Sequence, residues 1–151
     1  MIRHPFPSLV AAVARRIPAA RRPLVRAVFC AVFCALLYAW PCAAQAKDIS
    51  AREAAALLQS PPAGLLILDV RTPGEFRQGH LPGARNMDFF GGRFDLDAAA
   101  LPKDHPVLLY CRTGQRSAGA AEALEQVGVK NILHMNQGIE AWEKAGLPLE
   151  K

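Results

Sequence analysis

The segment PVLLYCRTGQRSAGAAEALEQVG, Pro106–Gly128, divides into three parts. PVLLY is apolar throughout, as a strand buried on both faces of a sheet must be. CRTGQRS gathers a cysteine, two arginines and a glycine among polar side chains. SAGAAEALEQVG carries apolar residues at helical spacing and ends on Gly128, a natural C-terminal cap. Strand, tight polar loop and helix in that order open a parallel βαβ unit. The pattern sets Cys111 at the C-terminal end of a strand, with a helix starting near Ser117.

The same alternation extends outward. DISAREAAALLQ begins with Ser50 three residues before Glu53, a capping-box signature ahead of an alanine- and leucine-rich helix, and Pro61-Pro62-Ala63-Gly64 breaks it. LLILDV, Leu65–Val70, is a second apolar run bounded by turn residues. RTPGEFRQGHLPGARN is rich in Gly and Pro and reads as loop, with a short helical turn around Glu75–Gln78. A short strand is expected over Asn86–Phe90 and a short helix over FDLDAAAL, before Pro102. NILHM, Asn131–Met135, reads as a strand. QGIEAWEKAGLP reads as a last helix stopped by Gly146 and Pro148, with Trp142 packing it onto the core. The expected fold class is α/β, a central parallel sheet flanked by helices on both faces.

Charge is divided along the chain. Residues 1–46 contain six arginines and no Asp or Glu, whereas residues 47–151 carry 12 Lys plus Arg against 13 Asp plus Glu. The basic excess belongs to the leader and gives no support to nucleic-acid binding by the folded part. After the arginines come the apolar run Ala27–Trp40, then Pro41 and CAAQA. Ala44-Gln45-Ala46 fits the A-x-A pattern of signal-peptidase cleavage, leaving Lys47 as the new N-terminus. The apolar run is short for a membrane span, which needs about 20 residues. The reading is therefore an export signal over 1–46, a mature domain over 47–151, a periplasmic or secreted location, and no stable membrane anchor after cleavage. A retained N-terminal anchor is the alternative, and an acid-free arginine-rich leader also resembles a mitochondrial transit peptide. Cys30, Cys34 and Cys42 leave with the leader, so the mature chain keeps Cys111 as its one thiol and forms no internal disulfide.

A lone cysteine at a strand end is most often inert core. Here the flanking residues argue otherwise. The C-terminal edge of a parallel sheet is where ligands of open α/β folds bind. A turn from strand into helix aims backbone N–H groups and the positive end of the helix dipole inward. Gly114 permits the dihedrals such a cradle needs, and Arg112 and Arg116 add positive charge. Each feature favours thiolate over thiol, and a thiolate is a strong nucleophile. The same cradle, Arg112, Thr113, Gly114, Gln115, Arg116 and Ser117, would hold an anionic substrate.

DVRTPGEFRQGHLPGARN, CRTGQRS and QGIEAWEKAGLP, in that order, resemble a single-domain rhodanese (thiosulfate sulfurtransferase) of the exported phage-shock type, over nearly all of residues 48–149. The resemblance implies a small α/β domain with a central parallel sheet. It implies that the Cys111 thiolate attacks the outer sulfur of thiosulfate, becomes a persulfide and releases sulfite. Sulfur then passes to cyanide or another thiophilic acceptor such as a thiol, with no metal and no organic cofactor. Arg112 and Arg116 would hold the thiosulfate dianion, a task that suits the paired donors of guanidinium. Asp69 and Arg71 match positions near the loop and read as supporting ties at the sheet edge, and His80 as a residue that orders its loop rather than a base. One departure stands at Asn136-Gln137-Gly138, where the family commonly has a Gly-Gly pair. It bears on acceptor specificity.

Two rivals remain at this stage. The related dual-specificity phosphatases place five residues between cysteine and arginine, whereas four separate Cys111 from Arg116, a shorter loop that suits sulfur better than a phosphoryl group. A persulfide carrier or a non-catalytic docking module for a protein partner is the other reading. The carrier would use the same loop.

Overall fold

The computed structural model describes residues 45–151. The export leader expected over 1–46 therefore lies, apart from Gln45 and Ala46, outside the described residues. The elements are β1 (Lys47–Ile49), α1 (Ala51–Gln59), β2 (Leu66–Asp69), α2 (Pro73–Gln78), β3 (Arg85–Asn86), α3 (Phe94–Ala100), β4 (Pro106–Tyr110), α4 (Gln115–Gln126), β5 (Asn131–Met135) and α5 (Gly138–Lys144). All strand pairs are parallel, in the order β1-β5-β4-β2-β3. The α/β expectation holds.

Strand parity sorts the core into two halves. Along β4, Val107, Leu109 and Cys111 face one side, where Phe94 and Ala98 of α3 and Ala120, Ala121 and Leu124 of α4 cover them. Leu108 and Tyr110 face the other, against Ala51 and Ala54 of α1 and Ile139 and Trp142 of α5. A central parallel strand is thus apolar at every position because both its faces meet helices. Trp142 is buried, as read from the sequence, and its indole N–H donates to the Pro148 carbonyl at 2.9 Å.

Three local readings change. The segment Lys47–Ile49, whose Lys and Asp hide its pattern, is a strand pairing with β5 through Asp48 and His134. The strand expected over Asn86–Phe90 is only Arg85–Asn86. Asp88 ends it: its side chain accepts from the Phe90 N–H at 3.1 Å and its carbonyl from Gly91 at 3.0 Å, a turn that leaves Phe90 74% exposed. Helix α4 starts two residues before Ser117, at Gln115, because Gly114 adopts φ 99° and turns the chain into the helix immediately. Among the described residues no helix is long and apolar enough to cross a membrane.

Candidate active site

Cys111 follows the last residue of β4 and has no accessible surface. Its Sγ lies 3.1 Å from the Gly114 N–H and 3.4 Å from the Ser117 hydroxyl. Burial works against a thiolate here. The Ser117 hydroxyl and the N–H groups of Ser117, Thr113 and Gly114 outweigh it and hold the thiol below its ordinary pKa. The cysteine is therefore both buried and poised to ionise.

The loop is locked to its neighbour by two glycines. A Cβ on Gly114 would stand 1.7 Å from the Asn136 carbonyl oxygen, and one on Gly138, at φ 61°, would stand 2.2 Å from the Arg112 carbonyl oxygen. That close approach lets the Ile139 N–H donate to the Cys111 carbonyl at 2.9 Å and the Glu140 N–H to the Arg112 carbonyl at 3.2 Å. The start of α5 thus fixes the loop backbone. Gln137, which departs from the Gly-Gly pair, sits at φ −96°, an ordinary conformation, so the turn closes with one glycine.

The two loop arginines are held by carboxylates. Arg116 makes a two-pronged pair with Glu75, Nη1 and Nη2 each 2.7 Å from a carboxylate oxygen. Glu75 also closes the capping box of α2: it accepts from the Thr72 N–H at 3.0 Å and donates its own N–H to the Thr72 hydroxyl at 3.3 Å. The Arg116 guanidinium, helped by Thr72 and opposed by partial burial, pulls the Glu75 carboxyl down to about 2. Glu75 in turn raises Arg116; burial opposes, and the charge on Cys111 adds to the rise. Arg112 is mostly exposed and reaches Glu140 at 2.9 Å. Thr113 and Gln115 are exposed, whereas Gly114 and Ser117 are buried. Beside the loop a cleft of about 250 Å³ is lined by Arg71, Glu75, Gln78, Arg112, Ile139 and Glu140, together with Glu143. A larger hollow, about 320 Å³ and lined by Leu68, Arg85, Asp97 and Pro102 among others, includes no residue of the loop.

Asp69 and Arg71 form a buried pair. Arg71 Nε lies 2.9 Å from both Asp69 oxygens and Nη2 lies 2.6 Å from one, while Nη2 also donates to the Gly79 carbonyl at 2.7 Å. These contacts join the end of β2 to the chain after α2. His80 stacks on Phe76 with centroids 3.8 Å apart and bonds its carbonyl through Nδ1 at 3.1 Å.

With a parallel five-stranded sheet and a cysteine loop opening a helix in place, the sequence pattern of the Rhodanese-like domain matches residues 50–145. The chain belongs to the rhodanese-like family. A sulfurtransferase of Allochromatium vinosum is 38% identical over 85 residues, covering 56% of this chain and 78% of that protein. The thiosulfate sulfurtransferase GlpE of Stutzerimonas stutzeri is 35% identical over 80 residues, covering 53% and 72%. Against the probable adenylyltransferase/sulfurtransferase MoeZ of Mycobacterium tuberculosis identity is 36% over 106 residues, 70% of this chain but 27% of that one. Among solved structures, a rhodanese-related protein from Thermoplasma volcanium aligns with a TM-score of 0.59 at 26% identity, covering 69% of this chain and 97% of that one.

Three side chains of this rhodanese-like site escape the sequence reading. Glu75 was visible only as part of a helical turn. His134 lies in the run NILHM and is 6% exposed, a histidine at an interior strand position, which is its one sequence signal. Its Nε2 is 2.9 Å from the Ser117 hydroxyl and its Nδ1 is 2.8 Å from Asp48 Oδ1. Asp48 gave no signal, because its strand was not recognised. Among the described residues no cluster of His, Cys, Asp and Glu suits a metal ion.

Proposed function

We propose that this rhodanese-like protein moves sulfane sulfur from thiosulfate to cyanide or a thiol through a Cys111 persulfide. The observation that carries the reading is the setting of Sγ between the end of β4 and the start of α4, 3.1 Å from the Gly114 N–H and 3.4 Å from the Ser117 hydroxyl, donors that hold the thiol below its ordinary pKa. The thiolate attacks the outer sulfur of thiosulfate. A bond forms between Sγ and that sulfur, the S–S bond of the donor breaks, and its electron pair leaves on sulfite. Cyanide then attacks the terminal persulfide sulfur, taking it as thiocyanate and returning the Cys111 thiolate. Backbone N–H groups aimed at Sγ suit the negative charge of thiolate and persulfide alike. Arg116, with Nη1 and Nη2 each using one N–H on Glu75, has further N–H donors to offer the departing oxyanion. The relatives named as sulfurtransferases support the transferase reading, and GlpE supports thiosulfate as donor.

Intact-mass measurement after incubation with thiosulfate is expected to show one added sulfur on the chain and none on Cys111→Ser. No gain, together with hydrolysis of an aryl phosphate, would sink the reading in favour of a phosphatase. We further propose that residues 1–46 direct export and are removed after Ala46. Strand β1 begins at Lys47, so cleavage there leaves the sheet whole. N-terminal sequencing of the exported protein should begin at Lys47; a sequence beginning in the leader would overturn this.

A further inference from the structure

We propose that Asp48, His134 and Ser117 form a proton relay that accepts the Cys111 proton and then turns the Ser117 hydroxyl onto the thiolate. Ser117 Oγ has three neighbours and one hydrogen: His134 Nε2 at 2.9 Å, the Gly114 carbonyl at 3.0 Å and Cys111 Sγ at 3.4 Å. Where that hydrogen points decides whether Sγ is stabilised as an anion. His134 controls the choice, and Asp48 controls His134.

The Asp48 carboxylate can only accept, so Nδ1 of a neutral His134 carries the ring proton and Nε2 presents a lone pair. Hydrogen bonds from His134 and then Asn136, whose amide lies 3.2 Å from Oδ2, hold the Asp48 carboxyl below its ordinary pKa and keep it ionised near neutrality. Facing that lone pair, Ser117 donates to Nε2, and its oxygen is left to accept from the Cys111 thiol. The thiol proton then passes to Ser117 Oγ as the hydroxyl proton passes to Nε2. No atom is lost and no outside acid or base is needed. Afterwards Nε2–H donates to Ser117 Oγ or to the Gly114 carbonyl, 3.3 Å away, and the Ser117 hydrogen is released to the thiolate. The product is a thiolate and an imidazolium separated by one hydroxyl.

The groups that face the relay come from three elements. From β1, the register partner of His134 is Asp48; from β4 it is Leu109, which is uncharged. From α4 come Ser117 and, towards Cys111, the Arg116 guanidinium with Glu75 behind it. No side chain of the relay is left without a hydrogen-bond partner. His134 and Asp48 act through Ser117 and are positioning residues.

The inference rests on Cys111 being the reacting group of the proposed transfer, but its test does not depend on the sulfur donor. Alkylation of Cys111 by iodoacetamide, read across pH on the peptide that carries it by mass spectrometry of the full chain, reports thiolate formation at that residue alone. Midpoints are compared rather than rates, because the thiol is buried. In His134→Gln, which keeps a donor and acceptor but no base, the midpoint is expected to rise by about one unit, roughly tenfold less thiolate near neutrality. Asp48→Asn, at a side chain 62% exposed, should move it the same way, and Ser117→Thr should restore what Ser117→Ala loses. An unchanged midpoint in Asp48→Asn, with His134→Gln unchanged or unfolded, overturns the relay. Shifted midpoints in a chain that takes no sulfur from thiosulfate would leave the relay standing and remove the donor.

Discussion

A methyl group added at Gly114 would meet the Asn136 carbonyl oxygen at 1.7 Å, and backbone cannot step aside as a flexible side chain can. The position also holds φ 99°, where an L side chain is strained. Gly114→Ala is therefore expected to lower Tm by roughly 10 °C or more, since about 2 kcal/mol moves a domain of this size by that amount. It should also cut persulfide formation sharply, because the backbone shift that relieves the clash moves one of the N–H groups that face Sγ. A loss of activity at unchanged Tm would mean that the loop tolerates the side chain and that the fault is chemical. Much of this was legible: the cysteine, the glycine and both arginines announce a cradle. Ser117 was read as part of its lining, yet it lies underneath, and nothing in RTGQRS distinguishes a hydroxyl that faces ligand from one that faces a buried histidine. Polarity shows in a sequence; the direction of a side chain depends on where the helix begins, and that was misjudged by two residues.

Between elements, Glu75 is the hinge pin of α2 and α4. It caps one helix and holds the first-turn arginine of the other. Its folded value of about 2 against an ordinary 4.5 fixes the sign of its pH dependence. The depressed carboxyl contributes stability that is complete above 4.5 and disappears as pH falls towards 2. Allowing for its partial exposure the contribution is roughly 2 kcal/mol, and Glu75→Gln should lose about that much at neutral pH. Urea unfolding at neutral pH and at pH 3 measures both: the gap between native and variant should narrow in acid. A gap that stays constant would mean that the Gln loses packing and not charge. The capping box itself is readable as T-x-x-E, but the second partner is not, since 41 residues separate Glu75 from Arg116. The same limit explains β1. Three residues with two charges carry no period; they become a strand only because β5 offers an open edge.

At the scale of the molecule, both faces of one sheet must be closed before the loop has a floor. Among the described residues Trp142 is the largest fully buried side chain, and α5, which carries it, also begins on the Cys111 and Arg112 carbonyls. Trp142→Ala is expected to cost about 3–5 kcal/mol and to weaken sulfur transfer along with stability, because packing on the far face sets the backbone of the near one. Full transfer activity in a destabilised Trp142→Ala would separate the two. The two-sided core was plain from the unbroken apolar runs, whereas the interlock of Gly114 with Asn136 was not, because it joins turns that follow different strands. The depth of Cys111 has a further outcome under oxidising conditions. Two folded copies cannot bring their Cys111 sulfurs within bonding distance, since a disulfide requires Cα atoms within about 7 Å of each other. Oxidants the size of a peroxide, by contrast, need no such approach and lead to a sulfenic acid. The fold thereby makes corrosion of this thiol a matter of small molecules and spares it from covalent pairing with its own kind.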